Sequence, residues 1–242
     1  MISQERQVED WGPTLNCFPS NSEKRVSMAK RTAASLNMAI AARGQASLVV
    51  SGGRSPKYFF QELARMFVPW DKVTITLADE RWVNPDSPDS NEKLVRDNLL
   101  VGAASAARFI GIKCKDEDAF ASEARVSESL SSFPWPADVL VLGMGLDGHT
   151  ASLFPCSADL DAALDTGTGY CKAVKPGKAD HQRMTLTLGR LLQSRLIILE
   201  LTGEEKLEVY QASLNDGDPK EMPIRYIVKQ QQVPAEVYWS PR

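Results

Sequence analysis

The sequence predicts an α/β fold in which a mostly parallel, twisted sheet carries helices on both faces. Short apolar runs with the length of buried strands, such as residues 47–51 and 138–142, alternate with longer segments of helical periodicity. This alternation favours parallel pairing, because a helix is the usual crossover between two parallel strands. With 242 residues and no repeat or linker, the chain is expected to form a single Rossmann-like domain over residues 1–242, with residues 1–21 peripheral.

Local signals place the elements of the first half of the chain. Serine, asparagine and proline residues over 12–22 predict a loop. The next segment has apolar residues on one face and ends at Gly44, as an amphipathic helix does. Ser55 and Pro56 are expected to be the N-cap and the first residue of another helix. These signals predict helix 22–42, strand 47–51, helix 55–67, strand 73–78, helix 90–100, strand 108–112 and helix 116–132.

The second half of the chain continues the alternation. The run Pro134-Trp135-Pro136 breaks the chain before the apolar strand 138–142, and a glycine-rich turn follows that strand. Beyond the turn, apolar runs and helical patterns predict strands 170–174, 184–188, 195–201 and 235–239, and helices 204–214 and 223–229.

Composition and charge narrow the class of protein. The net charge of −3 gives no electrostatic basis for binding nucleic acid or a membrane surface. No apolar run reaches the roughly 20 residues of a membrane helix, and the first residues lack the apolar core of a signal peptide. A cytoplasmic protein is expected. The four cysteines have no metal-binding spacing, so no metal is expected. No other cofactor is expected either, and a monomer is favoured.

A glycine-rich loop separates a predicted strand from a predicted helix. It consists of Ser51, Gly52, Gly53, Arg54, Ser55 and Pro56. Glycines let a ligand approach the backbone, and the start of a helix presents free N–H groups and a partial positive charge. The loop therefore predicts an anion site, although an ordinary strand-to-helix turn would have the same composition. It matches neither a P-loop nor a dinucleotide fingerprint, so ATP and NAD are not implied.

Three consecutive charged residues follow the strand that begins at Val73. They are Asp79, Glu80 and Arg81, and Asn91 lies downstream in the first turn of the next helix. Ligands bind at the carboxyl ends of parallel strands, so Asp79, Arg81 and Asn91 are candidate site residues. A solvated strand exit and a helix cap are the structural alternatives.

The turn within residues 143–155 carries the strongest functional signal. It follows an apolar strand and brings Asp147 and His149, two residues apart, to the carboxyl end of that strand; Gly145 lies in the same turn. A neutral imidazole is a natural proton acceptor near pH 7, and a neighbouring carboxylate would orient it. The alternative is a capping aspartate beside a hydrogen-bonded histidine.

Two cations complete the set of candidates. Arg183 precedes a predicted strand, and Lys206 lies in the first turn of a helix. A lysine at a helix start opposes the helix dipole, which is unexpected unless the side chain faces an anion. Each could also be a solvated surface charge. From the residues alone we infer an α/β enzyme that acts on a small phosphorylated molecule by acid–base chemistry, without a metal or redox cofactor.

Taken together and in this order, the motifs resemble the 6-phosphogluconolactonase family. The resemblance runs from about residue 22 to the end of the chain. The related glucosamine-6-phosphate deaminases share the Asp-Gly-His turn, but they carry glutamate where this chain has Phe154. Many relatives have serine or threonine where this chain has Arg54. The matching segments are SGGRSP (51–56), DERWV (79–83), Ser90-Asn91, GMGLDGHTASLFP (143–155), Arg183-x-Thr185 and Gly203-x-x-Lys206.

The resemblance implies hydrolysis of 6-phospho-D-glucono-1,5-lactone to 6-phospho-D-gluconate, in the oxidative branch of the pentose phosphate pathway. It implies that His149 activates water and that Asp147 orients or assists it. A small phosphorylated sugar lactone is thus the expected partner. Since a sugar δ-lactone already hydrolyses slowly in water, a positioned base is chemically sufficient and no metal is required.

The resemblance also implies roles for the remaining candidates. Arg183 and Lys206, with the 51–56 loop, would hold the 6-phosphate. Arg81 would stabilise charge near the reacting carbonyl, and Asp79 would bind sugar hydroxyls or support the site. Asn91 and Gly145 are expected to contribute to substrate binding.

Two other functions stay open at this point. The first is a deaminase-like sugar-phosphate isomerase, against which Phe154 argues because it removes a titratable group. The second is a non-catalytic regulator that binds sugar phosphates. Such a regulator would carry a helix-turn-helix segment, and residues 1–46 contain one amphipathic helix and no clear second one.

Overall fold

A computed structural model describes residues 12–53, 55–177 and 180–242, so that Arg54 of the predicted anion loop lies outside the described residues. Strands within these ranges are β1 Thr14–Cys17, β2 Ala46–Val50, β3 Val73–Leu77, β4 Asp79–Arg81, β5 Arg108–Ile110, β6 Val139–Gly143, β7 Cys171–Val174, β8 Arg183–Leu186, β9 Ile197–Thr202 and β10 Ala235–Ser240. The α-helices there are α1 Asn21–Arg43, α2 Pro56–Ala64, α3 Asn91–Asn98, α4 Glu123–Ser131, α5 Leu160–Ala163, α6 Leu188–Leu192, α7 Glu204–Leu214 and α8 Arg225–Val228.

The main sheet has seven strands in the order β1-β10-β9-β6-β2-β3-β5, and every neighbouring pair is parallel. The predicted α/β architecture is confirmed. From β2 the chain proceeds outward through β3 and β5, then returns to β6 on the other side of β2 and proceeds through β9 to β10. The strand order therefore reverses between β2 and β6, which is where parallel sheets of this kind bind ligands.

A second, three-stranded antiparallel sheet, β4-β8-β7, was not predicted. Residues 79–81 form a strand of their own, one residue after β3, and pair with β8 so that Arg81 lies opposite Arg183. Three charged residues have no local strand pattern, and their conformation depends on the partner strand. The consequence is that two cations separated by about a hundred residues become neighbours.

Helix α1 illustrates how local signals and packing agree. The Ser20 hydroxyl accepts a hydrogen bond from the Glu23 amide at its start, and Gly44 closes it in a left-handed conformation with φ 77°. Its buried side includes Met28 and Leu36, and it packs against β2, β6, β10 and α2. Burying a side chain of that size stabilises the fold by about 1.5–3 kcal/mol. None of the helices in the described ranges is long and apolar enough to cross a bilayer.

Three local predictions were wrong. Residues 14–17 form the edge strand β1 instead of belonging to a loop, because pairing with β10 determines their conformation. The helix predicted over 116–132 is confined to Glu123–Ser131, after a short 3-10 turn. Ser55 and Pro56 do begin α2 as predicted, although the Ser55 side chain makes no capping hydrogen bond. The strand predicted over 184–188 ends at Leu186, and α6 begins two residues later.

Candidate active site

A cavity of about 390 Å³ opens at the carboxyl ends of β2 and β6, where the strand order reverses. Among the described residues, it brings together these candidates: Ser51, Gly52, Gly53, Ser55, Asp79, Arg81, Asn91, Gly145, His149, Arg183 and Lys206. Asp147 does not line the cavity but hydrogen-bonds to His149. Pro56, the last residue of the predicted 51–56 loop, also lines the cavity. The residues of the wall that were not predicted as site residues are Val141, Leu142, Gly143, Met144, Ala151, Phe154 and Glu200.

The turn after β6 holds an imidazole and a carboxylate in direct contact. Asp147 Oδ1 lies 2.6 Å from His149 Nδ1 and also accepts a hydrogen bond from the His149 amide. The turn is closed by the Gly145 amide, which donates to the His149 carbonyl over 2.9 Å. The Phe154 ring covers the imidazole, with the ring centroids 4.4 Å apart. Backbone, carboxylate and aromatic ring together fix the orientation of the imidazole.

The charge state of Asp147 suits this pairing. Burial raises the pKa of its carboxyl, but the hydrogen bonds and the charge of His149 lower it by more, so the net pKa lies below its ordinary value. An ionised carboxylate can only accept a hydrogen bond. Nδ1 of the neutral imidazole therefore carries the proton, and Nε2 is left with a free lone pair.

The cationic side of the cavity contains Arg81, Arg183 and Lys206. Burial lowers the pKa of the Arg183 guanidinium from its ordinary value, the usual effect of withdrawing a charge from water. Within the described part of the chain, the buried Arg183 Nε has no hydrogen-bond partner, and the same holds for the buried Ser51 hydroxyl. Buried polar groups are normally paired, so both are available to an anionic or hydroxylated ligand.

Asp79, Arg81 and Asn91 form a connected wall. Asn91 Nδ2 donates to the Asp79 carbonyl over 2.9 Å, and Arg81 Nη1 donates to the Asp89 carbonyl at the same distance. The Asp79 carboxylate accepts a hydrogen bond of 2.6 Å from Ser152. A methyl group added to Gly52 would lie 2.7 Å from Asn91 Nδ2 and closer still to the rest of the carboxamide. Glycine at position 52 is thus required by the close approach of Asn91.

Glu80 was not predicted as a site residue, although it lies between two residues that were. Its side chain is almost fully buried, at 1% exposure, and accepts hydrogen bonds from three backbone amides and the Ser90 hydroxyl. Burial nevertheless raises the pKa of this carboxyl to about 7, and the amide hydrogen bonds oppose that rise.

This pKa predicts how Glu80 affects stability. The folded state retains a proton that the unfolded state has released, so stability from this group is greatest below pH 4.5 and declines up to about pH 7. The free energy of unfolding of the wild type, minus that of Glu80→Gln, is expected to fall by about 3 kcal/mol over this range. Urea unfolding at several pH values measures the difference. A difference that stays constant with pH would contradict the assignment.

The cavity also contains an unpredicted carboxylate, Glu200 on β9, which forms a buried ion pair. Lys24 Nζ lies 3.3 Å from Glu200 Oε1, and the two side chains are 0% and 4% exposed. Nζ also donates to the Leu201 carbonyl over 2.7 Å and to the Thr202 hydroxyl. Burial lowers the pKa of the Lys24 ammonium, while the Glu200 carboxylate opposes the change. The Lys24 ammonium thereby balances the negative charge that Glu200 brings to the wall of the cavity.

Removing one member of this pair should be costly. Lys24→Met leaves the Glu200 carboxylate buried without its partner, and we expect a loss of about 3–5 kcal/mol in unfolding free energy. The double variant Lys24→Met, Glu200→Gln should recover part of that loss, because the unpaired charge is gone. Lys30→Met, on the exposed side of the same helix, is the control. Equal stability of the first variant and this control in urea unfolding would refute the expectation.

No group of three or more histidine, cysteine or carboxylate side chains in the described ranges is arranged to hold a metal ion.

The fold and the cavity define an α/β protein with a carboxylate–imidazole pair and several cations at the switch point of a parallel sheet. Residues 19–239 match the family described as glucosamine-6-phosphate isomerases/6-phosphogluconolactonase. The chain belongs to this family.

Individual relatives agree with the family match. The chain is 44% identical to a 6-phosphogluconolactonase of Mesorhizobium japonicum, over 93% of this chain and 94% of the relative. It is also 44% identical to a 6-phosphogluconolactonase of Pseudomonas putida, over 88% and 87% of the two chains. A crystal structure of a 6-phosphogluconolactonase from Shewanella baltica superimposes with a TM-score of 0.92 at 47% identity, covering 94% of this chain and 97% of that one.

Proposed function

We propose that the chain hydrolyses 6-phospho-D-glucono-1,5-lactone to 6-phospho-D-gluconate. The observation that carries the proposal is that the Asp147–His149 pair and the cations Arg81, Arg183 and Lys206 meet at one cavity. A base beside an anion site suits a substrate with a hydrolysable bond at one end and a phosphate at the other. The high identity to 6-phosphogluconolactonases over most of the chain supports the same substrate.

In the proposed reaction, His149 Nε2 removes a proton from a water molecule while the water oxygen attacks the lactone carbonyl carbon. The imidazolium that forms is stabilised by the Asp147 carboxylate on Nδ1. When the tetrahedral intermediate collapses, the bond between this carbon and the ring oxygen breaks, and the ring oxygen takes the proton back from Nε2. The product is an open-chain acid, which releases its carboxyl proton to solvent at neutral pH.

The other walls of the cavity provide charge and orientation. Arg183, Lys206 and the 51–56 loop bind the 6-phosphate, and the unpartnered Ser51 hydroxyl and Arg183 Nε supply donors for it. Arg81 stabilises the oxyanion of the intermediate, since a fixed cation acts strongly on charge that develops in the transition state. Asp79, with one oxygen already bound to Ser152, accepts a hydrogen bond from a sugar hydroxyl.

Two assays on the same protein test this function. The lactone is generated in situ and its disappearance is followed with and without protein, after correction for spontaneous hydrolysis. Ammonia release from glucosamine 6-phosphate is measured in parallel. Faster lactone loss without ammonia supports the proposal. Ammonia release would indicate a deaminase, and binding of either sugar phosphate without turnover would indicate a regulator.

The phosphate site has its own prediction. Arg183→Ala should raise KM for the phosphorylated lactone by about tenfold or more, as expected for the loss of a charge-assisted hydrogen bond to phosphate. The kcat/KM for unphosphorylated glucono-1,5-lactone should stay within about twofold, because that substrate has no phosphate to bind. Arg108→Ala, an exposed cation outside the cavity, is the matched control. Equal losses on both lactones would mean that Arg183 does not bind phosphate.

A further inference from the structure

Glu80 occupies the joint between two walls of the cavity. On the extended strand β4, Asp79 and Arg81 point to one side and Glu80 to the other. Asp79 and Arg81 line the cavity, whereas Glu80 does not and is buried against the start of α3. The carboxylate is therefore one residue from two site residues without being exposed to the substrate.

Both oxygens of this carboxylate accept hydrogen bonds from the start of α3, and one of them also accepts a hydrogen bond from β4. Glu80 Oε1 accepts from the Arg81 amide at 2.8 Å and from the Asn91 amide at 2.7 Å. Oε2 accepts from the Glu92 amide at 2.7 Å and from the Ser90 hydroxyl at 3.1 Å. All four contacts are donors, so the ionised carboxylate satisfies them together.

The residues held in this way carry side chains that shape the cavity. The Asn91 carboxamide bonds back to the Asp79 carbonyl and packs closely against Gly52. Arg81 Nη1 donates to the Asp89 carbonyl, just before α3, and lies 3.4 Å from Asn91 Oδ1. A shift of α3 relative to β4 would therefore displace Arg81, Asn91 and the Gly52 loop at once.

We propose that Glu80 is a positioning residue of the active site, which locks β4 to the first turn of α3 and thereby sets the Arg81 guanidinium and the Asn91 carboxamide against the substrate. The inference rests on the proposed lactonase function. It assigns Glu80 no contact with substrate and no proton transfer. A glutamine is nearly isosteric but presents an NH₂ group to donors that need an acceptor, so at least one wall must shift.

The test is a kinetic double-variant cycle at about pH 8, above the pKa of Glu80. Glu80→Gln is expected to lower kcat/KM for the phosphorylated lactone by about ten- to a hundredfold, the usual cost of misplacing a site by an ångström. Asn91→Ala removes a side chain that Glu80 positions. The double variant should therefore be no more than about twofold worse than the poorer single variant.

Asp138→Asn is the matched control. Asp138 is also a buried carboxylate that accepts a backbone amide, from Ser47 at 2.8 Å, but it precedes β6 at the opposite end of the sheet from the cavity. The Asp138→Asn variant should be less stable than the wild type but keep its kcat/KM within about twofold of the wild-type value. Should Glu80→Gln not fold, Ser90→Ala removes one of the four donors and should still lower kcat/KM by a few fold.

Two results would overturn the inference. One is a Glu80→Gln enzyme that is as destabilised as Asp138→Asn but has wild-type kcat/KM. The other is a cycle in which the losses from Glu80→Gln and Asn91→Ala multiply. Failure of the wild-type protein to accelerate lactone loss would instead reject the proposed function. In that case, the same cycle on the Kd for 6-phosphogluconate or inorganic phosphate, measured by calorimetry, decides whether Glu80 positions the site.

Discussion

Replacement of His149 by alanine is expected to lower kcat for the phosphorylated lactone by about 10²- to 10⁴-fold, the usual contribution of a positioned general base. KM should change little, because the imidazole acts on water and the cations on the other wall hold the substrate. Background-corrected initial rates over a range of lactone concentrations separate kcat from KM.

The second histidine of the chain provides the control for this prediction. His181 does not line the cavity, and its Nε2 lies 3.5 Å from an Asp89 carboxylate oxygen on a half-exposed part of the surface. His181→Ala should keep kcat within about twofold of the wild type. If both histidine variants retain wild-type kcat, His149 is not the base and the mechanism proposed for this cavity is wrong.

Gly145→Ala is expected to have an effect of comparable size, although it removes no functional group. A methyl group at this position would lie 2.6 Å from Asp147 Oδ1 and closer still to His149 Nδ1. The Asp147 carboxylate and the His149 imidazole must therefore move away from the added methyl group, which disturbs the contact between them. A displacement of about 1 Å can cost 10²-fold, so we expect kcat to fall by at least about that factor.

Gly143→Ala tests whether this effect is steric. It lies two residues earlier in the same segment, and a methyl group there would meet nothing within 4 Å. Its kcat should fall far less than that of Gly145→Ala, while the two variants have similar melting temperatures. Equal losses of kcat in both variants would mean that the segment is generally intolerant of substitution. The contact of Gly145 with the Asp147–His149 pair would then not be the cause.

Much of the fold could be predicted because its signals are local. Buried parallel strands such as β2 and β6 are continuous apolar runs, and α1 has both an apolar face and a terminal glycine. Strands β1 and β4 lack such patterns, and nothing local indicates that β7 and β8 form a sheet with β4. Their conformation comes from partner strands that are distant in the sequence, and no local rule could supply those partners.

The candidate site divides in the same way. The Asp147–His149 turn and the glycine loop are short motifs at strand ends, so their meeting at one cavity follows from the parallel topology. From the sequence, Phe154 was noted only because the deaminases have glutamate at this position. Its contact with the His149 imidazole is visible only in the structure. Nothing in the sequence pairs Lys24 with Glu200, which are far apart in the chain, or indicates which acid of residues 79–80 lines the cavity.

The most direct test compares the wild type and His149→Ala at equal concentration on freshly generated 6-phospho-D-glucono-1,5-lactone, with spontaneous hydrolysis subtracted. We expect a clear acceleration by the wild type and a rate at least about 10²-fold lower for the variant, with an unchanged circular dichroism spectrum. A wild type no faster than the background, or a variant as fast as the wild type, would contradict the claim that this cavity hydrolyses the lactone through His149.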